Sequence, residues 1–363
     1  MLVLIVSTNI KSTLLSGTKY VYIVVAVALL SGIFTPLTVG EEFEIVASGM
    51  LSVFLGLGGG ITIFLGLLIV FQEVKAQQDP QYTQYMYNLN VINPAYAGSK
   101  ESLSITALYR SQWVGIADNP ESFSFAAHSP FGDKVGLGIS AIKDQLGPVS
   151  ESNIYADFSY TVDLGKKLQL AFGLKAGVTL HEVGLSDLEL QDPNDPFFSE
   201  DIQRTYPNIG AGVFLYSDNF YVSVSVPNFL QSVHLDETID GEAVKFGNES
   251  SHFFTTAGYV FQLGENLKLK PSAMVKAAFD SPMSWDANLN ALFYEKFELG
   301  ASYRLDDSYS ALVGFQINPN IRVGYAYDHV ISDIKAIAGS SHELILTWDV
   351  YFNKRALRSP RYF

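Results

Sequence analysis

Cysteine is absent from the 363 residues. That absence excludes a disulfide framework, a thiolate metal site and a lipidated cysteine anchor. Charge is scarce as well: Asp, Glu, Lys and Arg make up 17% of the chain, where an ordinary soluble domain carries about 25%. The charge present leans acidic, with 23 Lys and Arg against 37 Asp and Glu. Residues 1–76 hold three bases (Lys11, Lys19, Lys75) and four acids (Glu41, Glu42, Glu44, Glu73), so the remaining residues carry 20 bases against 33 acids, a net −13. An acidic body argues against nucleic acid as a partner, because phosphate binding needs a basic surface. Catalytic patterns are missing too. The histidines at 128, 181, 234, 252, 329 and 342 are scattered, with no His-Glu-x-x-His pair and no Gly-x-Ser-x-Gly elbow. Gly56-Leu57-Gly58-Gly59-Gly60 lacks the Lys-Ser/Thr ending of a phosphate loop. No catalytic residue, metal site or cofactor is expected, and the chain reads as a non-enzyme.

Hydrophobic residues are plentiful at 48%, with 20 Tyr, 25 Phe and 29 Gly, and from Ser102 onward they recur at every second position. Leu168, Leu170, Phe172, Leu174, Ala176, Val178 and Leu180 alternate with Lys167, Gln169, Ala171, Gly173, Lys175, Gly177 and Thr179. Period two places one apolar and one polar face on an extended strand, a pattern no helix accommodates. The same parity predicts strands at 102–110, 121–128, 134–143, 153–163, 167–180, 206–216, 219–226, 252–263, 266–279, 283–294, 296–304, 308–317, 320–328 and 341–352. Fourteen is an even number. Short turns follow the even-numbered segments, and most long connections (111–120, 144–152, 181–205, 227–251, 329–340) follow the odd-numbered ones. Short turns at one rim, long loops at the other and aromatics near strand ends (Tyr109, Tyr294, Tyr303, Tyr325, Tyr327) are the plan of a bacterial outer-membrane barrel. The expected fold is therefore all-β, a transmembrane antiparallel barrel of about fourteen strands over residues 102–363, with membrane lipid around it. A soluble two-sheet sandwich shares the alternation but needs neither strands of ten residues nor aromatic girdles.

Charges that fall on the polar face point away from lipid, where each costs several kcal/mol. Arg110, Asp157, Lys175, Lys268, Lys270, Lys276, Glu298, Arg304, Arg322, Asp328, Glu343 and Asp349 are expected in the lumen, either paired so as to fill it or lining a polar pore. The acidic stretch from Glu182 to Thr205, with Asp192-Pro193-Asn194-Asp195-Pro196 and Phe197-Phe198, lacks the residue order of a calcium loop and reads as a solvated outer loop.

Ahead of the strands, 21 uncharged residues separate Lys19 from Glu41 and another 28 separate Glu44 from Glu73. Each run is long enough to cross a bilayer at about 1.5 Å per residue. Val74-Lys75-Ala76 resembles an export cleavage site, so residues 1–76 are expected to be a leader removed before Gln77. A start placed too far upstream, with the true one near Met50, and a retained anchor are the other readings of the same residues.

Between leader and barrel lies a lead-in box, residues 77–101, whose sequence from Gln77 to Ser99 is QQDPQYTQYMYNLNVINPAYAGS. Its tyrosines, asparagines and Asp79-Pro80 and Asn93-Pro94 pairs are too polar for a core helix. The wording resembles the opening box of the PorP/SprF family of type IX secretion outer-membrane proteins, through Gln78, Asp79, Pro80, Thr83-Gln84-Tyr85-Met86-Tyr87-Asn88 and Asn93-Pro94-Ala95-Tyr96-Ala97-Gly98-Ser99. The resemblance continues in Leu108-Tyr109-Arg110, Gln112-Trp113-Val114-Gly115, Val135-Gly136-Leu137-Gly138 and the closing Ser359-Pro360-Arg361-Tyr362-Phe363. It implies a non-enzymatic outer-membrane barrel of a Bacteroidetes-type bacterium. Its expected role is to support secretion or surface attachment of large adhesins, and gliding motility, together with a secreted adhesin or other secretion components and a periplasmic partner. A passive or substrate-specific channel for small solutes is the alternative, and a barrel enzyme with a site assembled at the rim is a third. Within the box, Asp79, Gln84, Tyr85, Tyr87, Asn88, Asn93 and Tyr96 are the candidate partner-binding residues, because amide and phenol groups give oriented hydrogen bonds without a net charge to desolvate. The same residues equally suit a structural lead-in that plugs the periplasmic mouth.

Overall fold

Alternation of apolar and polar side chains leaves a sheet of this composition with one solution in lipid: closure, so that every backbone N–H and C=O is paired and the apolar face lies outside. The computed structural model has that form. It describes residues 81–351 except 166, 187–200, 231–232, 240–241, 249–250, 279–280 and 338, with backbone alone at 233–239, 242–248, 281–282 and 333. The leader, Asp79, the Asp192-to-Phe198 cluster and the closing Ser359–Phe363 motif lie outside the described residues.

In chain order the strands are β1 (Ser102–Ser111), β2 (Glu121–Phe131), β3 (Val135–Leu146), β4 (Val149–Asp163), β5 (Gln169–Val183), β6 (Ile202–Tyr216), β7 (Phe220–Val226), β8 (Val233–Ile239), β9 (Glu242–Asn248), β10 (Phe253–Tyr259), β11 (Phe261–Gln262), β12 (Leu267–Ala278), β13 (Ser281–Phe293), β14 (Phe297–Arg304), β15 (Ser308–Asn318), β16 (Ile321–Val330) and β17 (Ser341–Tyr351). Each barrel strand pairs antiparallel with its neighbours; β1 pairs with β17 and β10 with both β7 and β12, which closes the ring. Since β10 and β11 pair with the same strand, β12, they are one crossing interrupted at Val260, and the ring has fourteen crossings.

Several connections differ from the sequence expectation, β5 running on to Val183 and β6 starting at Ile202 among them. The connection expected over 144–152 is a tight turn at Gly147-Pro148, because β3 and β4 continue past the lipid zone and stay paired up to Leu146 and Val149. Both faces are polar there, so Lys143, Asp144, Gln145 and Glu151 carry no apolar alternation to read. The connection 227–251 contains the hairpin β8–β9, a separate two-stranded sheet. On the β5–β6 connection, Asp201 accepts hydrogen bonds from the Ser186 backbone N–H (3.0 Å) and hydroxyl (2.8 Å), which hold its carboxyl below the usual carboxylate range.

Outside, Phe172, Leu174, Val178, Ile154, Phe158, Leu344, Leu346 and Trp348 are exposed, as a lipid-facing belt requires. Aromatics gather toward both rims: Phe297 and Phe315 lie 5.1 Å apart near the turn end, and Tyr303 and Tyr309 5.0 Å apart near the loop end. The interior is the reverse of a soluble core, filled with buried Ser, Thr, Asn, Lys, Arg, Asp and Glu.

Candidate functional site

Residues 82–97 are buried inside the barrel, folded as three short helical pieces, Tyr85–Tyr87, Leu89–Ile92 and Pro94–Tyr96. The local sequence explains the breaks. Asn93 has extended backbone (φ −130°, ψ 113°), its side chain accepts from the Ala95 N–H at 2.8 Å, and Pro94 follows at the first helical position. An Asn cap followed by Pro starts a helical turn because Asn satisfies a free N–H and Pro has none to satisfy.

Pieces this short leave many backbone groups without a helical partner, and the barrel wall supplies partners. The Glu343 carboxylate accepts from the backbone N–H groups of Thr83 (2.9 Å) and Gln84 (2.8 Å). Lys175 Nζ donates to the carbonyls of Val91 (2.8 Å) and Asn90 (3.4 Å). The Ser159 hydroxyl donates to the Ala97 carbonyl at 2.6 Å, and the Gly98 N–H donates to His128 Nδ1 at 3.1 Å. Side chains of the strip reach the wall in turn: Asn88 Nδ2 to Ser124 (2.9 Å), Asn90 Nδ2 to Asp157 (3.0 Å), and Asn93 Nδ2 to the Ser223 hydroxyl (2.7 Å) and the Val213 carbonyl (3.0 Å). Tyr85 accepts from Asn288 at 3.4 Å, and the Tyr96 ring packs edge-on against His128 and Phe214.

Tyr87 is held on ring and hydroxyl together. Lys270 Nζ lies 4.2 Å and Arg322 Cζ 3.6 Å from its ring centroid, while its hydroxyl donates to Glu298 and accepts from Asn290 at 3.2 Å. Cations over a desolvated ring are attracted by its quadrupole, worth about 2 kcal/mol in favourable cases.

Of the expected lumen charges, Arg110, Asp157, Lys175, Glu298, Arg304, Glu343 and Asp349 are buried and Arg322 nearly so, and they pair with neighbours along the inner wall rather than across the barrel. Arg110 Nη1 stands 2.6 Å from Asp328 and 3.1 Å from Glu343; Lys175 is 3.5 Å from Asp157, Arg304 2.6 Å from Asp286, Arg322 2.5 Å from Glu298 and Lys100 3.1 Å from Asp349. An unpaired charge buried this way costs several kcal/mol, and pairing with each other and with the strip offsets much of that cost, although Gln84 Nε2, Asn88 Oδ1, Asn90 Oδ1 and Arg110 Nε are buried without a hydrogen-bond partner among the described residues. Of the seven candidate partner-binding residues, Gln84, Tyr85, Tyr87, Asn88, Asn93 and Tyr96 lie within the lumen, and Asp79 is outside the described residues.

Several wall residues that grip the strip were not singled out from sequence: Ser124, His128, Ser159 and Ser223; nor were Asp286 and Lys100, which pair with Arg304 and Asp349. Inward parity was the only signal for most of them, and it is shared with every other inward residue. Glycines make the rest of the cradle. A Cβ on Gly173 would fall 2.0 Å from the Ala95 nitrogen, and one on Gly136 2.1 Å from the Ala97 oxygen, so the strip's backbone passes where any other residue would stand. Beyond the strip, toward the loop rim, a small recess of about 50 Å³ is lined by Tyr82, Tyr85, Val91 and Ile92 and by Asp144, Glu151, Tyr155 and Phe254, among others.

The profile of a family described as Type IX secretion system membrane protein PorP/SprF matches residues 74–348. No curated protein matches the sequence. Among solved structures of similar fold are the CymD monoaromatic hydrocarbon channel (11% identity, TM-score 0.48, covering 77% of this chain and 95% of that one) and a FadL homologue of Pseudomonas aeruginosa (12%, 0.46, 76% and 95%). The toluene transporter TbuX of Ralstonia pickettii is similar at 10% identity and TM-score 0.45, covering 73% of this chain and 93% of that one.

Proposed function

Because this chain belongs to the PorP/SprF family of type IX secretion system membrane proteins, we propose that it is a plugged, non-enzymatic platform of the outer membrane that supports secretion or surface attachment of large adhesins. Its outer-membrane location follows from family and fold together. The observation that carries the platform reading is the buried strip: residues 82–97 occupy the lumen and hydrogen-bond to the inward charges Glu343, Glu298, Asp157 and Lys175. A conduit for small solutes needs open, solvated charges along its path, whereas these are paired with each other and with the strip.

In this reading Gln84, Tyr85, Tyr87, Asn88, Asn93 and Tyr96 anchor the plug. Docking of a partner directly onto them would require the strip to leave the lumen; anchoring does not, and the rims are left for partner contact. We further propose that residues 1–76 are an export segment cleaved ahead of Gln77, and that the chain contributes to gliding where its host glides. The test is deletion of the gene in its host, with surface display of secreted adhesins and permeability to small solutes scored on the same cells. Loss of display with unchanged permeability supports the platform. Normal display with reduced solute uptake supports the channel instead.

A further inference from the structure

The strip connects the two ends of the barrel, and its direction is opposite to that of a simple lead-in. Its first described residues touch the loop end. Thr83 and Gln84 donate to Glu343, near the start of β17 just after the β16–β17 loop. The Thr83 hydroxyl donates to Asp328 at 2.9 Å and accepts from Arg110 at 3.2 Å, near where β16 and β1 run into their loops. Its last residues touch the turn end. Gly98 meets His128 and Ala97 meets Ser159, near where β2 and β4 run into their short turns, and Lys100 meets Asp349 close to the end of β17.

A chain that approached β1 from the periplasm would need no lumen crossing, because Ser102 already stands at the turn end. Tyr82–Ala97 are buried, and Gln81, half-exposed, precedes the Tyr82 that lines the loop-end recess. Long loops mark the outer face of such barrels and short turns the periplasmic face.

We infer that the strip is threaded from the cell surface inward, so that Gln81 is presented at the surface mouth and the chain passes down through its own barrel before β1 begins. The inference depends on the direction of residues 81–102 and not on the adhesin reading. It places Gln81 at the surface mouth and Ala97–Lys100 at the periplasmic mouth.

The absence of cysteine allows single thiols to be read without background. Gln81→Cys is compared with Asp118→Cys, exposed in the β1–β2 loop, and Asp133→Cys, exposed in the β2–β3 turn. Cells are treated with a membrane-impermeant maleimide before and after the outer membrane is permeabilised, and heat-modifiability confirms a folded barrel for each variant. Gln81→Cys and Asp118→Cys are expected to label in intact cells, and Asp133→Cys only after permeabilisation. Labelling of Gln81→Cys only after permeabilisation, or in neither condition, overturns the inference.

Discussion

Asp157 and Lys175 stand opposite one another in the register of β4 and β5, 3.5 Å apart, and each also holds the strip, Asp157 through Asn90 and Lys175 through the carbonyl of Val91. Removing one partner leaves the other charge buried, so Lys175→Met is expected to destabilise the folded barrel by about 3–5 kcal/mol. Adding Asp157→Asn should recover part of that loss, because the second change removes the stranded charge while keeping an acceptor for Asn90. Urea unfolding in detergent, followed by the heat-modifiable band, measures both. A double variant as damaged as the sum of the singles would contradict the coupling.

Gly173→Ala places a methyl 2.0 Å from the Ala95 nitrogen, and overpacking of this kind costs about 1–3 kcal/mol or expels what it strikes. The expected outcome is a folded barrel with a displaced strip, read as protease cleavage within residues 82–99. Gly165→Ala, in the β4–β5 turn with nothing near its Cβ, should leave the strip protected.

The two faces of β5 and β7 should respond differently to charge. Leu174 and Val224 are exposed on the outer face, where Arg costs about 2–4 kcal/mol near the bilayer midplane, so Leu174→Arg and Val224→Arg should lower the yield of folded barrel in membranes. Gln169→Arg, on the inner face near the turn end, should assemble close to normally. Equal losses would mean that the strand facing is wrong.

Tyr87 separates ring from hydroxyl. Tyr87→Phe loses the hydrogen bond to Glu298, worth about 1.5–3 kcal/mol for a charged acceptor, and Tyr87→Ala loses the contacts with Lys270 and Arg322 as well. Stability should fall in the order wild type, Phe, Ala.

The barrel was legible in the sequence because its physics is local: a strand in lipid must alternate, and Leu168–Leu180 does. Facing followed from the same parity, which is how Arg110, Asp157, Lys175 and Glu343 could be placed in the lumen. Strand ends near the loop rim were not legible, since Asp144–Gln145 and Ser150–Glu151 are polar on both faces. The fate of the box was not legible either. Its tyrosines and asparagines have the polarity for a plug or for a docking strip, and what distinguishes the two is nonlocal: the Gly136 and Gly173 gaps, and wall groups such as Ser159 and Ser223 that are ordinary inward residues until the strip lies against them.

Single-channel conductance across a planar bilayer tests the central claim, that the strip closes the lumen, most directly. The wild-type barrel is compared with the variant carrying alanine at Tyr85, Tyr87, Asn88 and Asn93, each lost contact contributing about 0.5–1.5 kcal/mol to holding the strip. An electrically silent wild type and a folded, conducting variant are expected. A wild-type barrel that conducts as freely as the variant would contradict it.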